Sequence, residues 1–168
     1  GAGQTHVQCS RWGVRVNAKD SDGSLYTGVL LVPFSPPNAK GEDLRSKAWM
    51  LASDGFVYRT GRAGKEVLNF RKSFKLPDPT SLQIEEGDIV VITLNRTTET
   101  LSIQVNNRAP AVIPGVSPSA RPFVNLARTG DSATIVPGSR IDAEVRRIKH
   151  ARKMHRAPKG GKHATRQA

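Results

Sequence analysis

Residues 87–105, GDIVVITLNRTTETLSIQV, constrain the fold more than any other stretch of this chain. A Gly87-Asp88 turn opens it. Ile89, Val90, Val91, Ile92 and Leu94 follow as a nearly unbroken β-branched run, and a polar Asn-Arg-Thr-Thr-Glu-Thr cluster separates them from Leu101, Ile103 and Val105. Continuous apolar strands are buried on both faces, whereas strict alternation with polar residues such as Ser102 and Gln104 marks a strand with one face in a core. The pattern predicts a β-hairpin with a doubly buried first arm and a half-exposed second arm.

The rest of the chain follows the same period. Trp12, Val14 and Val16 alternate with Gly13 and Arg15, which puts the three apolar residues on one face of a strand. Residues 25–34 form a second apolar strand, ended by Pro33, Pro36 and Pro37, and residues 35–41 read as an exposed loop. Two short arms, 48–51 and 56–58, flank Ser53-Asp54-Gly55, a turn suited to a hairpin. Residues 59–75 read as a basic loop, and Leu76-Pro77-Asp78-Pro79 as a connection into the central hairpin. Beyond it come an Asn106-Asn107-Arg108 turn, a short strand at 111–113, a Pro/Ser loop, and strands at 123–127 and 132–136. Short strands separated by turns up to residue 137 predict an all-β sandwich or barrel, not alternating β and α units.

These residues carry a family resemblance. Arg11-Trp12-Gly13-Val14-Arg15-Val16, Tyr26-Thr27-Gly28-Val29, Ala48-Trp49-Met50-Leu51 with Asp54-Gly55-Phe56-Val57-Tyr58, Gly87-Asp88-Ile89-Val90, Leu101-Ser102-Ile103-Gln104-Val105-Asn106-Asn107 and Arg121-Pro122-Phe123-Val124-Asn125-Leu126 occur in the order of a SPRY domain. The chain resembles that family over roughly residues 10–137. The resemblance implies a bent antiparallel β-sandwich, concanavalin-like in architecture, made of two packed sheets and acting as a non-catalytic module that recognises peptides or protein surfaces through loops. Gly13 stands where the family has an acidic residue, Asn107 where it has Gly and Arg121 where it has an aromatic, and the strands that precede the first motif in the family are missing or very short.

The expected division is a SPRY-like sandwich over 1–137 and a basic C-terminal helix with an extended tail over 138–168. Trp12, Trp49, Phe56, Phe123 and the hairpin aliphatics form the expected core, while Phe70 and Phe74, in a polar stretch, are candidate binding aromatics. Catalysis finds little support: His6 is the only histidine before the basic tail, so no nucleophile-base pair emerges. Asp20, Asp22, Asp54, Asp78, Asp88 and Asp131 read as turn residues whose side chains cap nearby backbone. Gly61-Arg62-Ala63-Gly64-Lys65 lacks the spacing and following Ser/Thr of a phosphate loop, so neither nucleotide nor other cofactor is expected. Cys9 is the single cysteine, with no His/Cys cluster around it, so no metal site is expected and a reducing intracellular compartment fits. Mitochondrial, nuclear and cytoplasmic locations stay equally open. No apolar run reaches the length of a membrane helix, and a soluble chain is expected.

Charge says more about partners. Of a formal +12, residues 141–168 carry nine Lys/Arg against two Asp/Glu, a net +7, and leave +5 for the first 140. Ile141, Val145 and Ile148 fall at helical spacing after a Ser139-x-x-Asp142 pair that looks like a cap, predicting a helix over about 140–156 that Ala157-Pro158 ends. Arg146, Arg147, Lys149, Arg152, Lys153, Arg156, Lys159, Lys162 and Arg166 are unopposed by any acid after Glu144 and suit a polyphosphate backbone. A second basic set, Arg59, Arg62, Lys65, Arg71, Lys72 and Lys75, is interleaved with Phe70 and Phe74, a mixture able to grip phosphates and stack on bases. RNA is the leading partner, with DNA, acidic tubulin surfaces, other acidic proteins and anionic lipid as rivals. The expectation is a structural subunit of a large assembly, foremost a ribonucleoprotein, docked on protein neighbours. The alternatives are a substrate receptor of a ubiquitin ligase or chromatin complex with the tail as localisation signal, or a microtubule-associated scaffold. No small-molecule substrate is expected.

Overall fold

The computed structural model describes residues 8–20, 25–31, 47–61 and 64–156. Among these residues ten strands form two five-stranded sheets: β1 (Cys9–Ala18), β2 (Leu25–Leu30), β3 (Ala48–Ala52), β4 (Val57–Gly61), β5 (Gly64–Val67), β6 (Ile89–Asn95), β7 (Thr100–Val105), β8 (Ala111–Pro114), β9 (Arg121–Leu126) and β10 (Ser132–Pro137). One sheet has the order β10-β1-β6-β7-β8 and the other β5-β4-β3-β2-β9, and each pairing is antiparallel. A one-turn helix α1 (Pro79–Leu82) precedes β6, and a 3-10 turn (Gly138–Arg140) leads into helix α2 (Ile141–Arg156).

The central hairpin is as expected. Val90, Ile92 and Leu94 of β6 lie opposite Val105, Ile103 and Leu101 of β7, and all six are buried in the core between the sheets. Burying each such side chain contributes roughly 1.5–3 kcal/mol. Ile89 and Val91 point to the other side of β6, where they pack with Val136 and Ile141, so a second, smaller core lies under α2. Both faces of β6 are therefore covered, which is why its sequence does not alternate.

Three local expectations need correction. Residues 59–75 are not one loop: β4 and β5 form a hairpin in which Tyr58 faces Val67 and Thr60 faces Lys65. The density of charge there hides a period of two. The Leu76-to-Pro79 stretch leads toward β6 as expected, through α1, capped by Asp78, whose side chain accepts the Thr80 N–H at 2.9 Å. Trp49 is buried in the core and Trp12 packs against its margin. Phe56 and Phe123, in contrast, are only half-buried and stand outside that cluster. Phe56 joins Tyr58 and Phe70 in a surface aromatic row, with ring centroids 6.4 and 5.8 Å from its own. Finally, Asp142 does not form the expected cap with Ser139, which lies in the 3-10 turn; it bonds instead to Arg11 of β1.

Three aspartates act as the turn residues they resemble. Asp54 accepts the Phe56 N–H at 3.1 Å, Asp131 accepts those of Asp20 and Arg128, and Asp78 caps α1. Asp22 lies outside the described residues, as do the 35–41 loop and His6.

Candidate polyanion-binding surface

Helix α2 is seated by a stripe that begins with Ile141, Val145 and Ile148 and continues, one turn on, with Arg152. Gly13 makes the seat possible: a Cβ there would come within 2.9 Å of Ile89 Cδ1, 3.2 Å of Val136 Cβ and 3.3 Å of Ile141 Cγ1. A side chain at position 13 would push the helix off β1. The bare strand at this point accounts for glycine where the SPRY pattern carries an acid.

Charged contacts then fix the helix at both ends. Arg11 Nη2 donates to Asp142 Oδ1 at 2.8 Å, and Glu144 lies 3.5 Å from Arg15 and 3.1 Å from Arg147. At the far end Arg152 pairs with Asp88. Asp88 is fully buried, and it also accepts from the Glu85 N–H at 2.9 Å, Asn106 Nδ2 at 2.8 Å and Arg108 Nη2 at 3.4 Å. Asn106, at φ 54, returns its side-chain oxygen to the Ile89 N–H at 3.0 Å. Asp88 is thus more than a turn cap: it ties together the start of β6, the turn after β7 and the second half of α2.

The Arg11 contact makes a pH prediction. The hydrogen bond from Arg11 holds the Asp142 carboxyl below its usual value of 3.8, helped by the charges of Arg11 and Arg146. A carboxyl depressed in the folded state stabilises fully above its unfolded value and loses that contribution as pH falls through the folded one. Asp142→Asn is therefore expected to lower the melting temperature modestly at pH 7 and to converge with the unsubstituted chain below about pH 4, which flattens the acid limb. An unchanged acid limb in the variant would refute the contact.

These pairings sort the charges of the helix. Both of its acids are engaged by arginines, and Arg152 turns inward to Asp88. Arg146, Lys149, His150 and Lys153 remain exposed, and their i, i+3, i+4, i+7 spacing puts them on one helix face. That stripe is about 10 Å long, and the acid one turn before it on the same face, Asp142, is held by Arg11. Arg156 is the last helical residue, and Lys159, Lys162 and Arg166 lie outside the described residues.

The second basic set is dispersed by its own contacts. Arg59 donates from Nε and Nη2 to Glu66 Oε2 at 3.1 and 2.6 Å, and Arg71 pairs with the same carboxylate. Lys65 Nζ sits 3.7 Å from the Tyr58 ring centroid and 5.0 Å from that of Tyr26, a cation–π arrangement. Burial, then the charge of Asp54 and then Tyr26, raises the Tyr58 hydroxyl above its usual value. Lys72 and Lys75 are exposed, and Arg62 is outside the described residues. Phe70 is 73% exposed, while Phe74 packs against the core. Among the described residues no group of three or more His, Cys, Asp or Glu is placed to hold a metal, and no helix is long and apolar enough to cross a membrane.

With the geometry in place, the chain can be compared with known proteins. No family model and no curated protein matches it. Among solved structures, the SPRY domain of human HERC1 matches with a TM-score of 0.54 at 18% identity, over 77% of this chain and 74% of that one. The carbohydrate-binding module CBM66 from Bacillus subtilis matches more loosely, with a TM-score of 0.42 at 10% identity over 77% and 72% of the two chains. The fold is a SPRY-like β-sandwich, with α2 packed on the outer face of one sheet.

Proposed function

We propose that this chain is a non-catalytic binding module that serves as a structural subunit of a ribonucleoprotein. In this reading the sandwich rests on protein neighbours, and the outer face of α2, with the basic chain that follows it, lies along RNA phosphates. The observation that carries it is the sorting of charge on α2. Arg11 takes up Asp142, and Arg15 with Arg147 takes up Glu144, which leaves Arg146, Lys149 and Lys153 exposed together on one face. With both acids held by arginines, this face offers unopposed cations to a polyanion. The SPRY-like fold supports the binding-module part of the proposal. The basic composition after residue 145 supports the RNA part.

The test is the binding of a single-stranded RNA oligonucleotide followed by fluorescence anisotropy as salt is raised. Counterion release from about five to seven phosphates gives a slope of log K against log salt of roughly −3 to −5. Absence of binding at low salt, or affinity insensitive to salt, would sink the proposal. Deleting everything after residue 137 is the less suitable experiment, because Ile141 is buried against Ile89, Val91 and Val136 and its loss uncovers an apolar face of β6.

A further inference from the structure

Strands β9 and β10 are the terminal strands of the two sheets, joined through residues 127–131. Their side chains on the core side continue the layer of buried residues: Ile135 is level with Val14, Ala133 with Val16, Leu126 with Leu25 and Val124 with Thr27. Val14, Val16 and Leu25 are fully buried, and Val124 and Ala133 pack against the same cluster. Ile135 and Leu126, however, are 60% and 43% exposed. The core layer thus ends in an apolar rim on this side of the sandwich.

Among the described residues this edge carries little guard: the pairing of β10 with β1 has one irregularity, between Val16 and Ala18. Natural edge strands carry charges, prolines or bulges that discourage further pairing. β10 reads Ser-Ala-Thr-Ile-Val-Pro, with no charged residue and its proline at the last position. Among the described residues it pairs only with β1. Along this strand runs a cavity of about 200 Å³ lined by its Thr134, Ile135, Val136 and Pro137 together with Arg15, Arg140 and Glu144. Glu144 is already held by Arg15 and Arg147, and exposed Arg140 makes no ion pair among the described residues, so this cavity favours a negative group.

We propose that β10 accepts an additional strand from a partner protein, an extended segment that alternates apolar and acidic residues. Side chains of a strand point alternately to its two faces. Apolar residues of the added strand would cover Ile135 and Leu126, and acidic ones would enter the cavity beside Arg15 and Arg140. Main-chain hydrogen bonds would supply affinity and the alternation specificity, as in other cases of strand addition. A chain of net charge +12 attracts such a segment and disfavours a second copy of itself at the same edge.

The probe is a short labelled peptide alternating valine and glutamate, compared with the same residues arranged in two blocks, against the whole chain. The alternating peptide is expected to bind more tightly and to slow amide exchange across Ser132–Pro137. Ile135→Lys is expected to weaken it about tenfold although it adds a positive charge, because it removes the apolar contact. Arg140→Glu is expected to weaken it too. Both positions are exposed, so unchanged melting curves verify that the variants fold. Equal binding of the block peptide, tighter binding by Ile135→Lys, or no protection at β10 would overturn the proposal. So would protection that appears without peptide as protein concentration rises, since a second copy would then occupy the edge. None of these outcomes depends on whether α2 binds RNA.

Discussion

Replacing Asp88 with alanine is expected to destabilise the chain by about 3 kcal/mol and lower its melting temperature by roughly 10 °C. The carboxylate is fully buried and holds four donors, from Glu85, Asn106, Arg108 and Arg152. Its removal strands the buried Asn106 amide without that acceptor, takes the cap from the part-buried Glu85 N–H and breaks two ion pairs at once. Arg108 and Arg152 are partly exposed and can turn to solvent, which keeps the cost at the lower end for a broken buried pair. Arg152→Ala removes one contact only and is expected to cost about 1 kcal/mol. Hydrogen exchange should separate the two: in Arg152→Ala fraying is confined to the second half of α2, whereas Asp88→Ala also loosens the turns flanking β6. A melting temperature unchanged by Asp88→Ala would refute the assignment of Asp88 as the tie between helix and sandwich.

Combined reversal of Arg146, Lys149 and Lys153 to glutamate is expected to weaken single-stranded RNA binding roughly 100-fold at about 0.1 M salt. Each substitution removes a cation from the outer stripe and sets a repulsive charge in its place. All three side chains are exposed, and none belongs to the stripe that seats the helix, so the melting temperature should change little. Lys149→Ala alone should reduce affinity more than Arg152→Ala does, because Arg152 is directed to Asp88. The reverse order would mean that Arg152 leaves the carboxylate to meet RNA.

The parts of this structure that could be read in advance are those written in consecutive residues. The 87–105 hairpin announces itself by an apolar run followed by alternation, and the seat of α2 by Ile141, Val145 and Ile148. The hairpin of β4 and β5 is hidden because Arg59, Lys65 and Glu66, together with Tyr58, leave too few apolar residues to show an alternation. Phe56 and Phe123 look like core because they are aromatic, but their faces depend on strand register, which composition does not encode. Asp88 was least legible of all. The side chains that give it its role lie 18, 20 and 64 residues away, so its neighbourhood in sequence shows only a turn. The same distance explains Arg152, which is one more cation in a basic run until Asp88 is placed beside it.

The most direct measurement is photo-cross-linking of the whole chain to a single-stranded RNA carrying 4-thiouridine, with the attached peptides mapped by mass spectrometry. The account predicts attachment within residues 141–168, including the turn of α2 that bears Lys149 and Lys153. Attachment confined to the β4–β5 hairpin or the Phe70 region, with α2 untouched while RNA is bound, would contradict it.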